Sequence, residues 1–233
     1  MANIVEDLLK VIKDDSSSVL IFVSGGSLLP KLQEVFYRLM DKERDYSHVE
    51  IALVDERYAE YSHHGDSNYT QLMQLTCVSE MVWQGMKFTP ILHEGKNLVE
   101  TAADYDRYVG DKLADKNLRK ICILGVGADF HTAGILPHAF EKSAQFYDNF
   151  VVGYNVSDIS GSDNPHRKRI TLSFKAIEQV SSVWLYAVGI AKQPVLAEIE
   201  KRASSGGKLS KEEISSQPAL FFAGLKNLTV YSD

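Results

Sequence analysis

Apolar and polar positions alternate along the chain between two periods. Ile4, Val5, Leu8, Leu9, Val11 and Ile12 recur at helical spacing and predict a first helix. Val19-Leu20-Ile21-Phe22-Val23 is then a continuous apolar run, bounded by Asp14-Asp15-Ser16 before it and Ser24-Gly25-Gly26-Ser27 after it. Such a run suits a strand buried on both faces, as in a parallel sheet. The two signals go on exchanging. Helical spacing returns over 28–42, and 49–54 reads as a strand that ends at Asp55-Glu56-Arg57. Residues 68–75 read as a helix, 88–92 as a weaker strand, and 98–116 as an amphipathic helix. Residues 120–124 form a strong strand pattern that runs into Gly125-Val126-Gly127. Strands follow at 149–154, 169–172 and 183–188, a helix at 191–202 and a last strand at 228–231. This alternation predicts an α/β fold, a doubly wound and mostly parallel sheet with helices on both faces. The polar stretch 157–168 and the turn-rich stretch 204–210 read as surface loops, and neither is long enough for an interdomain linker. The 233 residues therefore read as a single α/β domain.

Composition narrows the partners. With 45% hydrophobic and 24% charged residues, the chain is neither disordered nor of low complexity. A net charge of −6 lacks the basic footprint of a nucleic-acid binder. It also means that an anionic ligand must be captured by local groups. Cys77 and Cys122 are too few for a disulfide framework and suit a reducing cytoplasm. The first fifteen residues lack the basic segment and apolar core of a signal peptide. No apolar stretch approaches the ~20 residues needed to span a bilayer. The expected partner is a small molecule, with neither nucleic acid nor membrane involved; monomer and dimer both remain open.

Ligands in open α/β sheets collect beyond the carboxyl ends of the strands, and three polar clusters fall there. Ser24-Gly25-Gly26-Ser27 reads either as a phosphate cradle at a helix start or as a tight strand-to-helix turn. It is not a Walker loop. Asp55-Glu56-Arg57, with Asp66-Ser67-Asn68 behind it, offers Arg57 as a fork donor to a phosphate. Taken alone it reads better as a surface salt-bridge cluster, with Asp66 or Ser67 capping the next helix. In the third cluster, the loop 125–134, Asp129 and His131 stand two apart in a turn, a spacing that aims both at one pocket, where Asp129 could instead handle the substrate directly. Histidine is the natural general base near neutral pH, although His131 reads equally as a hydrogen-bonded loop residue. Lys192 opens a helix, where a cation opposes the dipole unless an anionic ligand compensates. Arg167-Lys168-Arg169 reads as a solvated basic run of which a sugar phosphate could use one member. Adjacent His63 and His64 point apart on an extended segment and predict no metal site.

In this order, SGGS (24–27), VDER (54–57), DSN (66–68), LGVGADFHTAGILP (124–137), RITLS (169–173) and GIAK (189–192) resemble the 6-phosphogluconolactonase family. That family lies within the wider glucosamine-6-phosphate isomerase/lactonase group. The resemblance implies metal-independent, cofactor-free hydrolysis of 6-phosphoglucono-δ-lactone in the oxidative pentose phosphate pathway. It implies His131 as the general base and Asp129 as the group that orients the site or the substrate hydroxyls. Ser24, Gly25, Gly26, Ser27, Arg57, Arg169 and Lys192 would hold the phosphate. The amino-sugar deaminase branch carries an acidic residue before the proline of the histidine motif, and this chain has Leu136 there. A sugar-phosphate sensor and an isomerase or deaminase on the same fold are the competing readings. The chain departs from the family at Phe130, where glycine normally separates the aspartate from the histidine. If that glycine serves a positive φ, phenylalanine is strained there and its ring crowds the sugar.

Overall fold

The computed structural model describes residues 3–40, 44–60, 64–160, 166–206 and 209–233. The end of the helix expected over 28–42, His63 and parts of the two expected loops lie outside these residues. Nine strands run through the described chain: β1 (Val19–Val23), β2 (Val49–Leu53), β3 (Asp55–Arg57), β4 (Lys87–Thr89), β5 (Arg119–Leu124), β6 (Val151–Asn155), β7 (Lys168–Leu172), β8 (Ser182–Tyr186) and β9 (Leu228–Tyr231).

Six of the strands form one sheet in the order β4-β2-β1-β5-β8-β9, and every pair in it is parallel. All five positions of β1 and of β2 are buried. Successive side chains of a strand point to opposite faces, so both faces of the sheet centre are covered. The α/β class and the mostly parallel sheet are as expected. The first helix and the longest one form where helical spacing predicts them, while short helices such as Val78–Trp83, Phe174–Ile177 and Lys211–Ser216 carry no such signal. The first, Ile4–Lys13, buries Ile4, Val5, Leu8, Leu9, Val11 and Ile12, and Asn3 caps it through the Val5 N–H at 3.0 Å. The longest, Leu98–Ala114, starts at a reciprocal cap between Asn97 and Glu100. Caps of this kind are worth about 0.5–2 kcal/mol.

Three expected elements are corrected. The strand 88–92 is instead β4, Lys87–Thr89, because Pro90 has no N–H to continue the ladder. The strand at 149–154 begins later, at Val151, because Phe150 and Val151 both give their N–H to Asp106 Oδ1 at 2.8 Å. The third correction matters most for function. Asp55–Arg57 is not the tail of β2 but a separate strand, antiparallel to β7, which in turn pairs antiparallel with β6. A second, three-stranded sheet β3-β7-β6 therefore stands beside the parallel one.

One buried carboxylate ties β2 to the helix Leu98–Ala114. Glu50 accepts from Lys112 at 2.5 Å, Thr89 at 2.5 Å and Tyr108 at 2.7 Å, with Lys87 at 3.0 Å. Burial pushes its pKa up, but these partners overcome burial and hold it at about 2. A depressed carboxylate stabilises the fold fully above its unfolded value near 4.5 and loses that contribution as pH falls toward 2. Glu50→Gln should therefore cost about 1.5–3 kcal/mol at pH 7, the range for hydrogen bonds to a charged group. Urea melts of both proteins should show that gap closing between pH 4.5 and 2. A gap independent of pH would assign the stabilisation to packing.

Candidate active site

The chain leaves β1 toward one edge of the parallel sheet and builds β2 and β4 there, while β5 starts the other half. The crevice beyond the carboxyl ends of β1 and β5 is thus the switch point at which such sheets bind ligands. A cavity of about 320 Å3 lies there.

The turn after β1 forms its floor. Ser24 donates its N–H to Ile123 O of β5 at 3.1 Å, and all of Ser24, Gly25, Gly26 and Ser27 line the cavity. Gly25 tolerates no side chain, since a Cβ would lie 2.2 Å from Asn68 Oδ1. Gly26 takes φ +67°, which opens the short helical turn Gly26–Leu28.

The second sheet supplies the positive wall. In the β3–β7 register Arg57 lies directly opposite Arg169. Like charges in that position repel. Both Nε atoms are buried without a partner. The cations are only partly balanced: Arg169 Nη1 reaches Asp55 Oδ2 at 3.4 Å, and Arg57 Nη1 donates to Asp66 O at 2.8 Å. Lys192 joins them on the cavity wall, at the cap of the helix Gln193–Ser205. Burial pulls its pKa below the ordinary lysine value. Three cations crowd one cavity in a chain of net charge −6.

Behind this wall Glu56 is fully buried. It accepts the N–H groups of Arg57, Asn68 and Tyr69 at 2.8, 2.7 and 3.0 Å, and the Ser67 hydroxyl at 2.9 Å. Burial raises its pKa despite these bonds. Asn68, held in this way, donates Nδ2 to Asp55 O at 2.8 Å. The 55–57 segment is therefore no surface salt-bridge cluster: Asp55 and Glu56 are interior. Ser67, not Asp66, caps the helix Asn68–Met73.

The loop after β5 carries the histidine. His131 lines the cavity, and its Nδ1 lies 2.5 Å from Asp129 Oδ1. Asp129 also accepts the His131 N–H at 3.3 Å. It does not line the cavity; it holds the ring that does. Gly127 makes room for the pair, because a Cβ there would stand 2.2 Å from the imidazole and 2.4 Å from Asp129 Oδ1. The loop is anchored by Thr132 Oγ1 on Gly125 O at 2.7 Å, by Thr171 Oγ1 on Ala133 O and by the Tyr154 hydroxyl on Gly134 O. Phe130 takes φ +65° and Ala133 φ +51°. The Phe130 position thus does require a positive φ. The phenylalanine accepts a strain of about 1–2 kcal/mol. Its ring packs against the core, and its carbonyl accepts the Ala219 N–H at 2.9 Å.

Every residue singled out from the sequence for the ligand therefore faces one cavity, and Asp129 stands directly behind His131. Sequence reading missed Asp55, Asn68 and Gly134, which also line it, as does Leu136. Asn68 had a signal in the DSN string, but its place depends on the buried Glu56. His64, considered above for a metal, instead has Nε2 on Arg57 O at 2.9 Å.

Comparison with known proteins settles the ancestry. The family model described as glucosamine-6-phosphate isomerases/6-phosphogluconolactonase matches residues 1–219. The chain belongs to that family. Among curated relatives, the 6-phosphogluconolactonase of Neisseria meningitidis is 29% identical over 197 residues, 84% of this chain and 80% of that protein. The enzyme of the same name from Rhizobium meliloti is 26% identical, over 76% of this chain and 72% of that one. Solved structures agree on the fold. A 6-phosphogluconolactonase from Shewanella baltica superposes with a TM-score of 0.69 at 23% identity, covering 98% of this chain and 89% of that one. A monomeric glucosamine-6-phosphate deaminase gives 0.70 at 18% identity, covering 98% and 90%. The glucosamine-6-phosphate isomerase/6-phosphogluconolactonase fold is thus shared by both activities, and the side chains must choose between them.

Gly127→Ala tests the packing of the pair. The added methyl should push the imidazole off Asp129, so the 1H–15N imidazole correlation of His131 should move while the rest of the spectrum stays in place. An unmoved imidazole signal would show that the ring does not depend on the glycine.

Proposed function

We propose that the protein hydrolyses 6-phosphoglucono-δ-lactone to 6-phosphogluconate. One observation carries the reading: a three-cation wall and a carboxylate-held histidine share one cavity. A phosphate held by Arg57, Arg169, Lys192 and the Ser24–Ser27 turn fixes the far end of the sugar. The lactone carbonyl then sits near His131, so that binding energy at a remote group positions the reacting one. Arginine forks and backbone donors both suit a phosphate dianion.

Asp129 takes the Nδ1 proton as a hydrogen bond, which leaves Nε2 as the acceptor. In the reaction Nε2 removes a proton from water as its oxygen attacks the lactone carbonyl carbon. The tetrahedral oxyanion collapses, the bond from that carbon to the ring oxygen breaks, and the imidazolium returns the proton to the ring oxygen. Asp129 stabilises the imidazolium in between. The relatives named above support hydrolysis over deamination. So does Leu136, an apolar lining residue before the proline where the deaminase pattern has a carboxylate. We assign the protein to the cytoplasm, a reading supported by two free, buried thiols.

The test is turnover of freshly made lactone, corrected for spontaneous opening. His131→Ala should lose about 10²–10⁴-fold in kcat and keep its affinity for 6-phosphogluconate. Arg169→Ala should instead raise KM. Full activity in His131→Ala would overturn the mechanism. Binding without turnover in the wild type would favour a sensor, and ammonia released from an amino-sugar phosphate would favour a deaminase.

A further inference from the structure

Outside the central cavity, beyond the Arg57 side chain, lies a second cavity of about 260 Å3. Its walls come from the end of β3, the chain after it and the start of β7. Arg57 lines both cavities and is the partition between them. The outer cavity adds Arg167 and Lys168, the two members of the basic run that the proposed function leaves unused. Both are exposed. Lys168 Nζ lies over the Tyr58 ring at 5.6 Å, and among the described residues neither cation has a carboxylate partner.

The other lining groups reinforce this polarity. His64 and His166 face the cavity, and among the described residues Asp66 is its single carboxylate, 3.8 Å from His166 Nδ1. His166 holds its proton less tightly than usual, first because it is half-buried and then because Arg57 and Arg169 stand near it. Arg57 is kept in the partition by two contacts: Nη1 on Asp66 O at 2.8 Å, and its own carbonyl on His64 Nε2 at 2.9 Å.

We propose that this outer cavity is a second anion site, which takes a small phosphate-class anion between Arg57, Arg167 and Lys168. Its occupant shares one guanidinium with the ligand of the central cavity. Two anions drawing on one cation weaken each other, and thermodynamic linkage makes the weakening reciprocal. The site therefore acts as a brake: a phosphate-class anion held there loosens the central ligand without entering its cavity. The inference stands on the geometry of Arg57 and does not rest on the lactonase reading.

Calorimetric titration with inorganic pyrophosphate tests it. Wild type should bind pyrophosphate even when 6-phosphogluconate saturates the central cavity, with affinity reduced by about 5-fold or more. With 6-phosphogluconate saturating the central cavity, Arg167→Gln/Lys168→Gln, at two exposed positions, should lower pyrophosphate affinity by roughly tenfold, about 1.4 kcal/mol. The same variant should bind 6-phosphogluconate as wild type does. The proposal is overturned if the double variant binds pyrophosphate unchanged, or if 6-phosphogluconate displaces pyrophosphate completely. Should 6-phosphogluconate fail to bind the wild type, the lactonase reading falls, and the number of pyrophosphates bound, lower by one in the double variant, still decides the outer site.

Discussion

Val54 gives its N–H to Val23 O at the end of β1, at 3.0 Å, and takes the N–H of Leu172 of β7 on its carbonyl at 2.8 Å. A single buried residue thus joins the two sheets. The chain turns there from a parallel ladder into an antiparallel one. That turn carries Asp55 and Arg57 over the carboxyl ends of β1 and β5, where the glycine turn and the histidine loop arrive independently. Backbone hydrogen bonds lost in the interior are expensive, so this crossing is strongly specified. Both the cationic wall and the room in front of it follow from where the crossing occurs.

Charge then does what burial alone would oppose. Opposed arginines with buried, unpartnered Nε atoms make poor structural elements. They are tolerable because Asp55 and the Asp66 carbonyl satisfy them partly and leave the remainder for a ligand. Glu56 acts one layer behind. Its carboxylate collects three backbone N–H groups and a hydroxyl, and thereby fixes the strand of Arg57 against the helix start of Asn68. The site is stiff on its phosphate-seeking side before any ligand arrives, which suits positioning by a remote group.

Much of this was legible in the sequence. The runs at β1 and β5 are apolar throughout because both faces are covered, and turn chemistry marked the residues after them. The site residues came from those turns and from the ordered likeness to a family. What was not legible depends on pairing. Asp55-Glu56-Arg57 has no apolar signature; it is a strand because β7 makes it one. Its charges look like surface until Glu56 is seen capping a helix from inside. Asn68 and Gly134 matter through what they touch, Gly25 and Asp55 respectively, and no local pattern states such contacts.

The histidine loop carries two non-glycine residues in left-handed backbone, Phe130 and Ala133. Their own preferences do not hold the loop in that shape. Thr171, Tyr154 and Ala219 hold it from outside. The loop thus behaves as a cocked spring, whose rest shape differs from its held shape. Its latches belong to β6, β7 and the segment near the end of the chain. Damage to those distant elements would therefore be felt first at the base, as a histidine that swings out of register while the sheet behind it remains whole.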